Sequence, residues 1–325
     1  MRTLFVSILT LLLMVSCGDK KSSDKKIILD SSGNINNVSV ILENDLWDGR
    51  IGDAIRNVLA APIYGLPQDE PTFTLSQIPP SVFSGFVTKN RTILKIEMNK
   101  EPGITFQDNV YAQPQKVIVV SGKDREEIVG LIHENGDAIV QTFRAMELKE
   151  RQRQMAKSPH NFESIEMKLD LTLKFASAYR IAKETDNFFW IRKDITTGTT
   201  NLMIYELPHS AIKRNDSVVG QIIKIRDSIG QTHIEGTVEG TYMVTENAYT
   251  PFFEETILDN KPAFEVKGIW DLKNGFMGGP FLSYTIEDKT HDRWVVIEGF
   301  AFAPSVEKRD YMLELESIIK SVKIE

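Results

Sequence analysis

The chain has one cysteine in 325 residues, Cys17. No disulfide framework is available, so an ordinary core must supply stability. Histidine is scarce too: the five residues at 133, 160, 209, 233 and 291 are dispersed. His133-Glu134 begins like a zinc-protease helix, yet no second histidine follows at the required spacing. There is no Gly-x-Ser-x-Gly elbow, and Gly236 and Gly240 lack the Lys-Ser/Thr of a phosphate loop. With these templates missing, no catalytic residue, metal site or cofactor is assigned. Basic charge is in deficit, 38 Lys and Arg against 45 Asp and Glu, for a net charge of −7. That balance argues against nucleic acid as a partner. After residue 17 no apolar run approaches the roughly 20 residues that a membrane span requires.

What is present begins at the N-terminus. Arg2 supplies a positive charge, Leu4 to Val15 is nearly all apolar, and Met14-Val15-Ser16-Cys17 ends the run. This layout resembles a bacterial lipoprotein signal, although Met14 stands where leucine is usual. The resemblance implies cleavage before Cys17 and acylation of that residue. Residues 1–16 are then a signal peptide and residues 17–36 a lipidated cysteine with a flexible tether. The polar run Gly18 to Lys26 is too hydrophilic to offset its ordering entropy. Two or three acyl chains on one cysteine anchor stably. The membrane is therefore an expected partner, and the expected location is the bacterial cell envelope, at the outer membrane.

The remainder divides by composition into an N-terminal α+β domain, 37–157, and a C-terminal α+β sandwich domain, 158–325. Of the 29 aromatic residues, 20 fall between Phe162 and Tyr311, enough for a separate core. In the first part, strands are expected at Val38–Leu42, Thr92–Met98, Ile104–Tyr111 and Lys116–Val120. One helix should carry Ile51 and Ile55 inward. Asp124 and Glu127 form a capping box for another, with Ile128, Ile132, Ile139 and Phe143 on one face. Its polar end, Glu147 to Lys157, is expected to project into solvent. In the second part, strands are expected at Leu169–Phe175, Phe188–Lys193, Leu202–Leu207, Thr237–Thr245, Phe252–Leu258, Ala263–Leu272, Phe281–Glu287 and Arg293–Ala303. A helix beginning at Asn215 and closed by Gly230, and another capped by Ser305, complete it. The fold class is α+β: antiparallel sheets with flanking helices, in two α/β sandwich domains. No βαβ alternation of the nucleotide-binding kind is evident.

Several motifs carry a resemblance. Asn187-Phe188-Phe189-Trp190, Arg226-Asp227-Ser228, Gly240-Thr241-Tyr242-Met243, Met277-Gly278-Gly279-Pro280 and Glu298-Gly299-Phe300 stand in the second half. Trp47-Asp48-Gly49 and Gly65-Leu66-Pro67-Gln68-Asp69-Glu70-Pro71 stand in the first. Together they are similar to an uncharacterised Bacteroidetes lipoprotein family with a domain of unknown function, which implies the address and no activity. The order of elements in the second half also resembles the PsbP/Mog1 sandwich, whose members mostly bind or help assemble partners.

The stretch Trp270 to Phe281 is glycine-rich around Phe276 and Met277. It reads either as a contact loop offering Trp270, Phe276 and Met277 to a partner, or as a hairpin with those side chains folded under it as core. Asp216-Ser217-Val218 and Asp227-Ser228-Ile229 resemble the acceptor pattern of Bacteroidetes O-glycosylation, making Ser217 and Ser228 candidate sites. The functional expectation is a non-catalytic envelope module that binds or assembles an unknown envelope protein or ligand. The alternative is an envelope hydrolase using paired carboxylates or gathered histidines; a fold that placed two histidines and a carboxylate in one cleft would make it the preferred reading.

Overall fold

The computed structural model describes residues 28–325; Cys17 and the signal-like run lie outside the described residues. Order begins earlier than a tether to residue 36 implies. Strand β1 (Leu29–Asp30) pairs with β6 (Ala112–Gln113), and the Ser31 and Ser32 amides donate to Gln113 and Lys89 carbonyls. The segment 29–36 therefore belongs to the first domain.

That domain follows as β2 (Asn37–Ile41), α1 (Asn44–Trp47), α2 (Arg50–Leu59), β3 (Thr74–Ile78), β4 (Thr92–Met98) and β5 (Gly103–Asp108). After β6 come β7 (Lys116–Gly122), α3 (Arg125–Glu134) and α4 (Gly136–Met155). The strand order is β3-β2-β4-β7-β5. In this domain the expected antiparallel sheet is mixed. β2 pairs in parallel with both β3 and β4, and β4 with β7; only β5 runs antiparallel. The connection β2-α1-α2-β3 is a βαβ unit. Alternate residues explain the layering: Val38, Val40, Leu94, Ile96, Ile118 and Val120 meet Ile55, Ile128, Ile139 and Phe143 of the helices. The capping box forms in altered register. Asp124 accepts from the Glu127 amide at 3.0 Å, while Glu127 accepts from the Lys123 amide at 2.7 Å.

The second domain opens with β8 (Pro159–His160), α5 (Glu163–Leu169), β9 (Leu171–Thr172) and β10 (Phe175–Ala176) where one strand over Leu169–Phe175 was expected. Asp170, in the left-handed region at φ 48°, ends α5 and breaks that run. There follow β11 (Arg180–Glu184), β12 (Phe188–Ile195), β13 (Gly198–Pro208), α6 (Val218–His233), β14 (Tyr242–Thr245), β15 (Phe252–Leu258) and β16 (Lys261–Lys273). The domain closes with β17 (Gly278–Asp288), β18 (Arg293–Phe302), α7 (Arg309–Ile319) and β19 (Lys323–Ile324). Its sheet is antiparallel throughout, ordered β11-β12-β13-β18-β17-β16-β14 with β15 also on β16. Helix α6 covers one face through Val218 and Ile222, and α7 covers the other through Leu315, Ile318 and Ile319. The architecture is α+β in two domains, sheets flanked by helices.

Helix α7 is buried on both sides, because α4 packs on it from the first domain. The polar end of α4 does not project: Glu147 and Glu150 are buried. Glu147 takes a bidentate bond from Arg91 at 2.9 and 3.1 Å. Arg144 and Arg151 reach Glu316 and Glu314 of α7, and Gln152 donates to the Ser317 carbonyl at 2.9 Å. The N-terminus of α7 is capped from across the seam. Glu70 accepts from the Lys308 and Arg309 amides at 2.8 and 2.7 Å, a role expected of Ser305.

Candidate functional site

Where the domains meet on the α6 side, three adjoining cavities of about 500, 370 and 320 Å³ share Tyr249. The first domain contributes the turn Tyr64-Gly65-Leu66. Gly65 has φ 85°, and a Cβ there would stand 2.8 Å from the Lys267 Cβ, so only glycine lets the turn lie on β16. That turn stacks Tyr64 on Phe252 at 5.8 Å and 13°, with the Lys267 ammonium 5.2 Å from the Phe252 ring. Tyr64 remains 75% exposed and Tyr249 52%, so two aromatic side chains stand available in one groove. Lys224, Asp227, Glu246, Asp271 and Lys308 supply polar groups along its floor and rim. An aromatic surface with a few charged groups suits a ligand that offers both a flat apolar face and hydrogen-bond donors.

Beneath the groove lies the most buried charge pair of the second domain. Arg226 on α6 grips Glu298 on β18 at 2.8–3.1 Å, and both side chains are almost completely buried. The Arg226 guanidinium also lies 3.9 Å from the Phe281 ring centre. Arg226 donates to the Thr245 hydroxyl at 2.9 Å, and that hydroxyl donates to Asp227 at 2.7 Å. The core pair thereby fixes Asp227, which lines the groove. Burial pushes the Glu298 carboxyl above its ordinary value, against the pull of Arg226. Gly230, expected to close the helix, lies inside it instead. A Cβ there would meet the Met243 carbonyl at 2.3 Å, so glycine lets α6 approach β14.

The proposed contact loop divides. Phe276 at the β16–β17 turn is fully exposed. Met277 is half-buried and packs against the core under α6. Trp270 is 3% exposed and must be withdrawn as a contact residue. Its indole donates to the Ala301 carbonyl at 3.1 Å, and a Cβ on Gly279 would overlap that oxygen at 2.0 Å. The Gly-Gly-Pro stretch thus serves strand packing more than it exposes side chains. Ser217 and Ser228 are both exposed, Ser217 just before α6 and Ser228 within it.

Two histidine–carboxylate pairs form at the opposite end of the sheet. His209 bonds Glu287 at 2.9 Å, and His291 bonds Asp288 at 2.7 Å. Adjacent strand residues face opposite sides of a sheet, so Glu287 and Asp288 hold their histidines apart. Accordingly His209 stacks on Trp294, while His291 lines a cavity of about 400 Å³ with Arg293 and Glu206. Among the described residues no group of three or more His, Cys, Asp or Glu is placed to hold a metal ion. Burial opposes ionisation of Asp288, but hydrogen bonds from His291 and Arg293 hold its carboxyl below the ordinary value.

Tyr64 and Tyr249 lie in stretches where no strand or helix is expected, so no pattern in the sequence marks them as groove residues. Arg226, Asp227 and Glu298 did stand out, inside the motifs Arg-Asp-Ser and Glu-Gly-Phe, but without a role. Residues 158–321 match a family model described as Domain of unknown function (DUF4837). Residues 31–156 match a second, Domain of unknown function (DUF8532). No curated protein matches the chain. Among solved structures it is similar to the Saccharomyces cerevisiae Ran-binding protein Mog1p, at 9% identity and a TM-score of 0.33, over 51% of this chain and 95% of that one. Cyanobacterial PsbP (CyanoP) from Synechocystis sp. PCC 6803 gives 10% and 0.33, over 52% and 93%. Human StAR-related lipid transfer protein 5 gives 9% and 0.25, over 55% and 97%. The likeness to the PsbP/Mog1 sandwich concerns fold alone.

Proposed function

The chain belongs to the family described as Domain of unknown function (DUF4837), whose model covers half of it, and from that premise we propose a lipid-anchored envelope protein that binds a ligand non-catalytically. We further infer a family of Bacteroidetes lipoproteins, supported by the motifs above and by the signal ending at Cys17. The observation that carries the binding reading is the groove at the domain seam, with Tyr64 stacked on Phe252 and Tyr249 beside it. Such a ligand lays an apolar face on the rings and directs donors to Asp227 and Glu246. Tyr249→Ala should change folding stability by no more than about 0.5 kcal/mol, and Tyr64→Ala should cost about 0.5–1.5 kcal/mol through loss of its stack on Phe252. The same pair should abolish capture of whatever wild type retains when crosslinked in cells. Undiminished capture by the double variant would remove the groove from the proposal. For the anchor, Cys17→Ala is expected to release the chain from membranes or leave an unprocessed precursor. A variant that fractionates with membranes at mature size would sink that part.

One arrangement favours the second reading, an envelope hydrolase. His291, oriented by the buried Asp288, faces a cavity beside Arg293, which is the geometry of a general base and its positioning carboxylate. Conversion of a captured ligand by wild type and not by His291→Asn would favour it over simple binding.

A further inference from the structure

The first domain's sheet has helices on one face only. On its other face Ile41, Ile93 and Val117 are covered by the segment of short turns at 80–89, with Phe83 and Val110 packed over them. That covering segment carries apolar side chains outward as well as inward. Phe86 is 71% exposed and Val82 58%, and Leu29 at the start of the ordered chain is 52% exposed, with Ile28 beside it. The segments that carry these groups are tied to one another. Leu29 pairs with Ala112, the Ser32 amide bonds the Lys89 carbonyl at 2.9 Å, and Tyr111 meets Phe83 edge-on at 5.5 Å. The buried Gln115 side chain ties the segments together. It donates to the Thr88 and Asn90 carbonyls at 2.7 and 2.8 Å and accepts from the Tyr111 amide at 2.8 Å.

Charge distinguishes the turn segment from the rest of the molecule, and the exposed Asp30 beside Leu29 is the carboxylate at its edge. The chain holds 45 carboxylates, yet none lies between Glu70 and Glu97, the stretch containing both turns. Around Val82 and Phe86 stand Ser81, Ser84, Thr88 and Lys89, a mixture of apolar, hydroxyl and cationic groups suited to a membrane interface. The remainder, with its excess of acid, is repelled by an anionic leaflet. Position agrees with charge. Ile28 lies eleven positions after Cys17, so an acylated Cys17 keeps the start of β1 within about 40 Å of the bilayer even at full extension. The apolar surface lies where the anchored segment enters the fold.

We propose that Val82, Phe86 and Leu29 form a bilayer-contacting surface, so that the protein rests on the membrane holding Cys17 with its first domain inward. This rests on the reading of Cys17 as acylated. Affinity comes from multivalency, since the anchor makes contact of a weak apolar patch with the same bilayer intramolecular.

The test uses the full acylated chain in phosphatidylethanolamine–phosphatidylglycerol vesicles carrying nitroxide on the lipid acyl chains. Acylation leaves no free thiol, so Ser84→Cys accepts a single environment-sensitive fluorophore beside Phe86. Ser217→Cys, in the second domain, provides the comparison. The expected result is several-fold stronger nitroxide quenching at position 84 than at 217, lost in Val82→Ser with Phe86→Ser while the melting temperature is retained. Equal quenching at the two positions overturns the proposal, as does strong quenching at 84 that survives the double substitution. Mass spectrometry of Cys17 separates the two levels. An acylated chain without selective quenching refutes the docking surface alone, whereas an unmodified cysteine removes the anchor and this surface with it.

Discussion

Arg226→Met should cost about 3–5 kcal/mol of folding stability at neutral pH, because it strands a buried carboxylate. The Glu298 side chain is fully buried and depends on Arg226 for its charged partner at 2.8–3.1 Å. Methionine retains apolar contact with Phe281 and removes the charge, so the loss reports chiefly on electrostatics. The pH dependence follows from the direction of the Glu298 shift. Its native carboxyl already lies above the ordinary 4.5 because of burial, and without Arg226 it should rise further. A carboxyl whose native value is raised loses stability as pH increases from the unfolded value toward the native one. The deficit of Arg226→Met should accordingly shrink as pH is lowered toward about 4.5, where the unfolded-state carboxyl also takes up a proton. Adding Glu298→Leu should recover most of the loss, since replacing a buried pair by apolar groups is often neutral. Urea midpoints at several pH values measure all three effects. A deficit for Arg226→Met below about 0.5 kcal/mol would show that the pair is not a determinant of the fold.

The same pair shows what a sequence conceals. Arg226 and Glu298 are 72 residues apart, and nothing in their spacing indicates contact. Tyr64 and Phe252 come from different domains, so the groove exists only after the domains are joined. Periodicity was informative where one face is wet and the other dry, as on α2 or α6. It misled at Leu169, Leu171, Leu173 and Phe175. These alternate like a strand but enter the core from a helix end and two short bridges. β11 was missed because Arg180-Ile181-Ala182-Lys183-Glu184 is an edge strand with little to bury. The parallel pairing of β2 with β3 was hidden because short, half-polar strands do not read as the continuous apolar runs of a fully buried parallel sheet. The largest misreading concerned the polar end of α4. Charge usually means solvent, but here cations of α4 meet carboxylates on α7, more than 160 residues later. Composition cannot show that a charged face has a partner.

That interface gives the second large effect. Glu316→Gln keeps the side-chain volume on α7 and removes the charge held by Arg144 from α4 and by Lys320 at 2.9 Å. Burial opposes the ionised form, but the charges of Arg144, Lys320 and Lys267 outweigh it and lower the carboxyl to about 2. A carboxyl depressed in the native state contributes stability above its unfolded value, and that contribution is lost as pH falls through the native value. The gap between 4.5 and about 2 corresponds to roughly 3 kcal/mol. Glu316→Gln should therefore be destabilised by about that amount at neutral pH, more than an exposed ion pair contributes. Wild type and variant should converge as pH drops from about 4.5 toward about 2. Because α7 is shared by both domains, the loss should appear as faster amide exchange in α4 and α7 together, with α6 and the first domain's parallel strands less affected. Thermal unfolding across that pH range, with exchange read by mass spectrometry, tests both features. A destabilisation independent of pH would assign Glu316 a packing role only, and protection unchanged in α4 would show that the two helices do not open as one unit.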